Sequence, residues 1–170
     1  EKTYLALVCG EIAPDDGTID LPIGPAPASA VRTRQVAAEG LPESRRAQTR
    51  FRVLGRREDR SLVELRPLTG RQHQLRVHMA AIGHPLVGDK LSLGGEELFL
   101  RSIEDRLTED DFRFLGHTRQ ALHAWRFSFE SSLEREDSSP ERLVFEAPLP
   151  EDLASLRPHE IAADGGRFFR

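Results

Sequence analysis

Between Arg66 and Asp89 the chain reads RPLTGRQHQLRVHMAAIGHPLVGD, three arginines and three histidines against a single acid. Guanidinium groups bind phosphate and carboxylate oxygens through two parallel hydrogen bonds, so Arg71 and Arg76, with His73 between them, form a candidate anion site. Thr69 followed by Gln72 three residues on has the spacing of a capping box. Gly70 permits a sharp turn into a helix whose first N–H groups would face an anion. Cations at a helix start oppose the helix dipole at a cost of about a few tenths of a kcal/mol each, which an anionic ligand would offset.

Other chemistries fit less well. His73 and His78 are five residues apart, so a helix would splay them by about 140° rather than aim both at one metal ion. No cysteine or carboxylate completes a ligand set at zinc-like spacing, and no metal is expected. The chain has no Gly-x-Ser-x-Gly elbow and no Gly-rich phosphate loop. Cys9, the lone cysteine, reads as a small core residue on a strand. Tyr4, the lone tyrosine, reads by itself as a core aromatic, and so do Trp125, Phe127 and Phe129.

The elements that must position these groups follow from periodicity. KTYLALVCGEI predicts a strand with Tyr4, Ala6 and Val8 on one face and Leu5, Leu7 and Cys9 on the other. Both faces are largely apolar, so the strand should be buried. DLPIGPAPAS suits an extended edge or a loop. Residues 46–65 predict a hairpin with Ala47, Thr49, Phe51 and Val53 on one face, a turn carrying Gly55 and Asp59, and a return strand from Ser61 to Leu65. The helix starting at Thr69 would carry a core stripe of Leu75, Met79 and Ile82 and stop at Gly83 and Pro85. TEDDFRFLG predicts a short helix. ALHAWRFSFE and RLVFEAPL predict paired strands around a charged loop from Ser131 to Glu141, and LPEDLASLRP a last helix. Strands and helices interleave without βαβ alternation, which predicts an α+β fold: a mixed, largely antiparallel sheet with packed helices.

The 170 residues suffice for one domain with a core, and 38% hydrophobic and 31% charged residues describe an ordinary globular chain. No apolar run is long enough for a transmembrane helix and no signal peptide is evident, so no membrane is expected as a partner. A single cysteine cannot form an internal disulfide, which points to the cytoplasm. The net charge is −4, yet residues 31–80 hold twelve arginines and five acids. A basic middle between acidic flanks suits a phosphate-bearing partner.

Five segments in order make the chain similar to the RluA-like family of RNA pseudouridine synthases: KTYLALVCGEI, RAQTRFRVL, the stretch from Arg66 to Asp89, RQALHAWRFSF and FEAPLPEDLASL. The resemblance implies that residues 1–170 are the C-terminal portion of a pseudouridine synthase catalytic domain; the terminal residues 161–170 by themselves read as a loose tail. It implies isomerisation of uridine to pseudouridine in rRNA or tRNA without a metal or organic cofactor. It implies that Tyr4 and Arg76 are catalytic and that Leu75 packs at the uracil. Gln74, Arg71, His73, Thr69 and Gly70 complete the substrate-binding set. The family's nucleophilic aspartate lies in a His-Arg-Leu-Asp segment, which does not occur in these residues. Arg76 is therefore expected to lack its acidic partner and the isolated chain to be inactive. A rival expectation is a non-catalytic RNA-binding module of the same fold. A further departure is GDKLSLGG, where the family commonly has a tyrosine.

Overall fold

The computed structural model describes residues 1–57, 59–131 and 141–156. Its elements run β1 (Lys2–Cys9), β2 (Asp16–Asp20), β3 (Ile23–Pro25), β4 (Gln35–Ala37), β5 (Gln48–Arg57) and β6 (Arg60–Pro67). After these come α1 (Gln74–Ala81), α2 (Gly95–Ile103), α3 (Glu109–Leu115), β7 (Leu122–Ser131), β8 (Glu141–Glu146) and α4 (Glu151–Ala154). Six strands form one sheet in the order β2-β5-β6-β1-β7-β8, and β3 and β4 form a separate ribbon. Each pairing among these strands is antiparallel. The α+β expectation is met, with helices packed on a large antiparallel sheet.

β1 is an interior strand because both of its faces are apolar. Ala6 and Val8 face one cluster with Phe51, Val53, Val63, Leu65, Leu86 and the α1 residues Leu75 and Met79. Leu5 and Leu7 face the other with Leu54, Leu62, Val87, Trp125 and Leu153 of α4. Met79 is fully buried and Ile82 packs partly against the same cluster, so the expected helical stripe holds. Burying a side chain of this size stabilises by about 1.5–3 kcal/mol.

Two bulges change which side chains share a face. Along β5 the register shifts between Val53 and Gly55, and Leu54 enters the second cluster. Gly55 therefore lies within the strand, paired with Leu62, and not in the turn as the sequence suggested. Between β1 and β7 the register shifts at Thr3/Tyr4, so Tyr4 faces Ala124 while Lys2 faces Phe127. An extra residue reverses the alternation of a strand. Trp125 is buried, but Phe127 and Phe129 are each 43% exposed, which corrects their reading as core aromatics.

The stretch after α1 is threaded beside β1. The Cys9 N–H donates to the Pro85 carbonyl, and the Val87 N–H donates to the Leu7 carbonyl. Gly88 ends this run at φ +75°, where an added Cβ would sit 2.0 Å from the Arg119 carbonyl oxygen. Other expectations met mixed outcomes. DLPIGPAPAS is divided between β2, a turn and β3, and α2 was not foreseen. The short helix expected from TEDDFRFLG is α3, and the structure adds a capping box at Thr108 and Asp111. The charged loop, apart from Ser131 and Glu141, and the 161–170 tail lie outside the described residues.

Gly88→Ala is expected to destabilise the fold by at least about 2 kcal/mol, since the backbone and the neighbouring carbonyl both resist a side chain there. A denaturant titration of the variant against the native chain measures it.

Candidate active site

Helix α1 begins later than its sequence signals suggest. Its first residue is Gln74, and its N-cap is His73 at φ 57°, with no side-chain cap. Thr69 and Gln72 therefore make no capping box. The Thr69 hydroxyl instead accepts the Gln48 N–H at 3.0 Å and donates to Gln74 Oε1 at 2.8 Å. Gly70 has open space where a Cβ would be and no positive φ, so the sharp backbone feature falls on His73 and not on the glycine.

Gln74 organises the approach to the helix. Its Oε1 also accepts the Arg71 N–H at 2.9 Å, while Nε2 donates to the Gln48 carbonyl at 2.8 Å and to Thr49 Oγ1 at 3.1 Å. The amide is buried, and its two acceptor and two donor positions are all filled. His78 extends the network. The Leu21 carbonyl can only accept, so Nε2 carries the proton at 3.0 Å, and Nδ1 accepts from the Thr49 hydroxyl at 2.9 Å. Burial lowers the pKa of His78, opposed by its bond to Leu21 and by Asp20. Burial and the Arg76 charge likewise lower that of His73, opposed by Asp89.

Arg76 is not an unpartnered cation, which corrects the expectation from sequence. Its Nε and Nη2 each donate to Asp89, at 2.7 Å, in a side-on fork. The Asp89 side chain is fully buried. Its Oδ1 also accepts the Leu91 N–H at 3.1 Å and the Ser92 N–H at 3.0 Å. Burial pushes its pKa up, but the Arg76 fork and these two N–H groups outweigh that and hold the carboxyl below the ordinary carboxylate range.

Tyr4, Thr69, Gly70, Arg71, His73, Gln74, Leu75 and Arg76, the eight site residues expected from sequence, all line one cavity of about 480 Å³. Lys2, Leu68, Leu122 and Phe127 line it as well and were missed. The bulge in the β1–β7 pairing brings Phe127 to this face, and no local sequence pattern announces it. His73 and Arg76 also line an adjoining cavity of about 210 Å³ that reaches Arg34 and Ser92. His84 does not join them, because its Nδ1 bonds the Cys9 carbonyl at 2.9 Å. A larger basin of about 800 Å³ contains Arg50, Arg52, Arg66, Arg126 and the buried Glu64. There Glu64 holds Arg52 and Arg66 in ion pairs, whereas the Tyr4 cavity offers aromatic and aliphatic walls beside a guanidinium with spare donors. Such walls suit a flat ring, and such donors an oxyanion.

A family model described as RNA pseudouridylate synthase matches residues 1–81. The ribosomal large subunit pseudouridine synthase D of Nitrosomonas europaea is 39% identical over 157 residues, 92% of this chain and 40% of that protein. The dual-specificity RNA pseudouridine synthase RluA of Yersinia pestis is 46% identical over 93 residues, 52% of this chain and 42% of that protein. The human RNA pseudouridylate synthase domain containing 1 superposes with a TM-score of 0.69 at 27% identity, covering 96% of this chain and 62% of that one. The fold is thus that of pseudouridine synthase-type domains. The chain belongs to the RluA-like family of RNA pseudouridine synthases, and it spans about two-fifths of the length of these curated relatives. No helix among the described residues is long and apolar enough to cross a membrane.

Both histidines have pKa values depressed by folding, so the unfolded chain binds more protons as the pH drops below about 6.5. Stability is expected to be full above that pH and to decline below it until the folded imidazoles protonate. Melting temperatures at pH 7.5 and 5.5 measure this, with a shallower decline in His78→Gln. Thr49→Val leaves His78 Nδ1 and Gln74 Nε2 short of a partner and is expected to cost about 1–3 kcal/mol in a denaturant titration.

Proposed function

We propose that this site belongs to an RNA pseudouridine synthase. The carrying observation is that Tyr4, from a central strand, and Arg76, from a helix, line the same cavity. In this reading the target uridine leaves its helix and enters beside Tyr4, because a stacked base cannot be reached. Tyr4, Leu75, Leu122 and Phe127 form the walls against the uracil. A carboxylate nucleophile, contributed by sequence outside these 170 residues, meets the free edge of Arg76 and is kept ionised there. The N1–C1′ bond breaks and the uracil turns. C5 joins C1′, the C5 proton is lost and N1 gains one, so the reaction is an isomerisation with no redox partner. In this reading Tyr4 assists the transfer of the C5 proton.

Arg71 and His73 meet the RNA backbone, with Thr69 and Gly70 forming the rim. Gln74, whose hydrogen-bonding capacity is spent within the protein, positions that rim rather than touching RNA. The substrate assigned is large-subunit rRNA. Support comes from the relative named for that subunit, whose similarity runs through 92% of the chain. Action is assigned to the cytoplasm, with the chain inactive alone for want of the nucleophile and with no metal or cofactor required.

Tritium release from in-vitro-transcribed large-subunit rRNA carrying [5-³H]uridine tests the assignment. The full-length protein is expected to release tritium and these 170 residues alone to release none. In the full-length protein, Arg76→Lys is expected to lower kcat by about 100-fold or more, and Tyr4→Phe by about 100-fold with the fold intact. Salt-dependent RNA retention without product from the full-length protein would instead favour a non-catalytic RNA-binding module.

A further inference from the structure

We propose that Asp89 is the positioning residue for Arg76 in the isomerisation, setting both the direction and the effective charge of the guanidinium that receives the nucleophile. The inference rests on the pseudouridine synthase reading and deepens it. Asp89 lines neither cavity, whereas Arg76 lines both. It therefore acts through the arginine and not on the substrate.

The geometry of the fork carries the argument. Asp89 occupies Nε and one hydrogen of Nη2. A planar guanidinium held along that side has one free edge, made of Nη1 and the second Nη2 hydrogen. No described residue takes that edge. A carboxylate entering the Tyr4 cavity can thus be received by a fork whose plane is already set, with little further ordering of a long flexible side chain.

Asp89 is itself held from several directions. Its Oδ1 accepts from Leu91 and Ser92, its backbone carbonyl accepts the Leu93 N–H at 3.0 Å, and its own N–H donates to the Leu86 carbonyl at 3.1 Å. Gly88 precedes it in a conformation closed to side chains. A restraint of this kind behind a side chain is what a pre-set catalytic group requires.

Charge gives a second consequence. Asp89 neutralises much of the field of Arg76, so the incoming carboxylate meets directed donors and not a full unpaired cation. Removing the negative charge at position 89 would leave a stronger cation at that edge and draw the nucleophile's pKa downward. A purely structural ion pair, holding the 89–94 turn to the helix, has no such effect.

The test uses the full-length protein with [5-³H]uridine-labelled large-subunit rRNA, comparing native protein, Asp89→Asn, Arg76→Lys and the double variant, each normalised to its folded fraction. The expected result is a loss in kcat of about 100-fold for Asp89→Asn with KM within about threefold. The acid limb of its pH profile should move to lower pH, and Asp89→Asn should cause no further loss in the Arg76→Lys background. Activity of Asp89→Asn within about threefold of native, beside an inactive Arg76→Lys, would overturn the role. So would a loss that leaves the acid limb in place and adds to that of Arg76→Lys. If Asp89→Asn does not fold, Asp89→Glu keeps the charge and shifts the fork by one methylene. Lowered kcat with an unmoved acid limb then supports the role, and native kcat overturns it. Native protein that releases no tritium defeats the underlying assignment, and the role of Asp89 with it.

Discussion

The ion pair between Arg76 and Asp89 is the constraint on which the arrangement of the site depends. It joins the first helix to the turn that follows the segment threaded beside β1. A pair this well buried is not stabilising by default, because both charges give up water. Here the carboxylate recovers four hydrogen bonds, two from the guanidinium and two from backbone N–H groups. Removing either partner would strand the other charge, at a cost of about 3–5 kcal/mol. The sign of its pH dependence is that of a depressed carboxyl. The contribution is present above the unfolded-state pKa and lost as the pH falls through the folded value.

Around that pair the protein builds its site from rigid parts. Tyr4 stands on an interior strand paired to Leu65 on one side and Ala124 on the other. Gln74, Thr49 and His78 tie the entry to α1 onto the start of β5 through one chain of hydrogen bonds in which donors and acceptors alternate without conflict. Such a network is costly when one member fails and rigid when complete. The rim from Thr69 to His73 is irregular in backbone yet anchored by buried side chains.

The charge pattern changes meaning in three dimensions. Twelve arginines between residues 31 and 80 suggested a broad basic footprint. Several are paired to acids in the fold: Arg34 with Glu96, Arg56 with Asp15, Arg60 with Asp59, and Arg52 and Arg66 with Glu64. Glu96 and Asp15 come from the acidic flanks, so the flanks partly neutralise the middle. The more exposed of these pairs, such as Arg56 with Asp15, add little to stability, but together the pairs narrow the surface that can attract phosphate. Arg71, whose guanidinium Nε donates to the Arg46 carbonyl, stays exposed while lining the Tyr4 cavity.

Local pattern was enough to locate the interior strand, the β5–β6 hairpin, the core stripe of α1 and the short capped α3, because alternation and helical period report burial directly. It also singled out Thr69, Gly70, Arg71, His73 and Arg76 at the helix start, while the family resemblance added Tyr4, Gln74 and Leu75, and these eight share a cavity. The exact start of α1 was not legible. Thr69 and Gln72 satisfy the capping rule locally, but the buried amide of Gln74 competes for the same hydroxyl and wins through its bonds to β5. Phe127 was missed because a bulge reverses strand parity, and a bulge is set by how two strands dock. The partner of Arg76 was missed because the chain must leave the helix, run beside β1 and turn at Gly88 before Asp89 arrives. The sequence alone thus determined which residue types and periodicities are available, whereas tertiary structure decided which distant groups meet, because only packing of the sheet and its threaded segment brings the fork and its carboxylate within hydrogen-bonding distance.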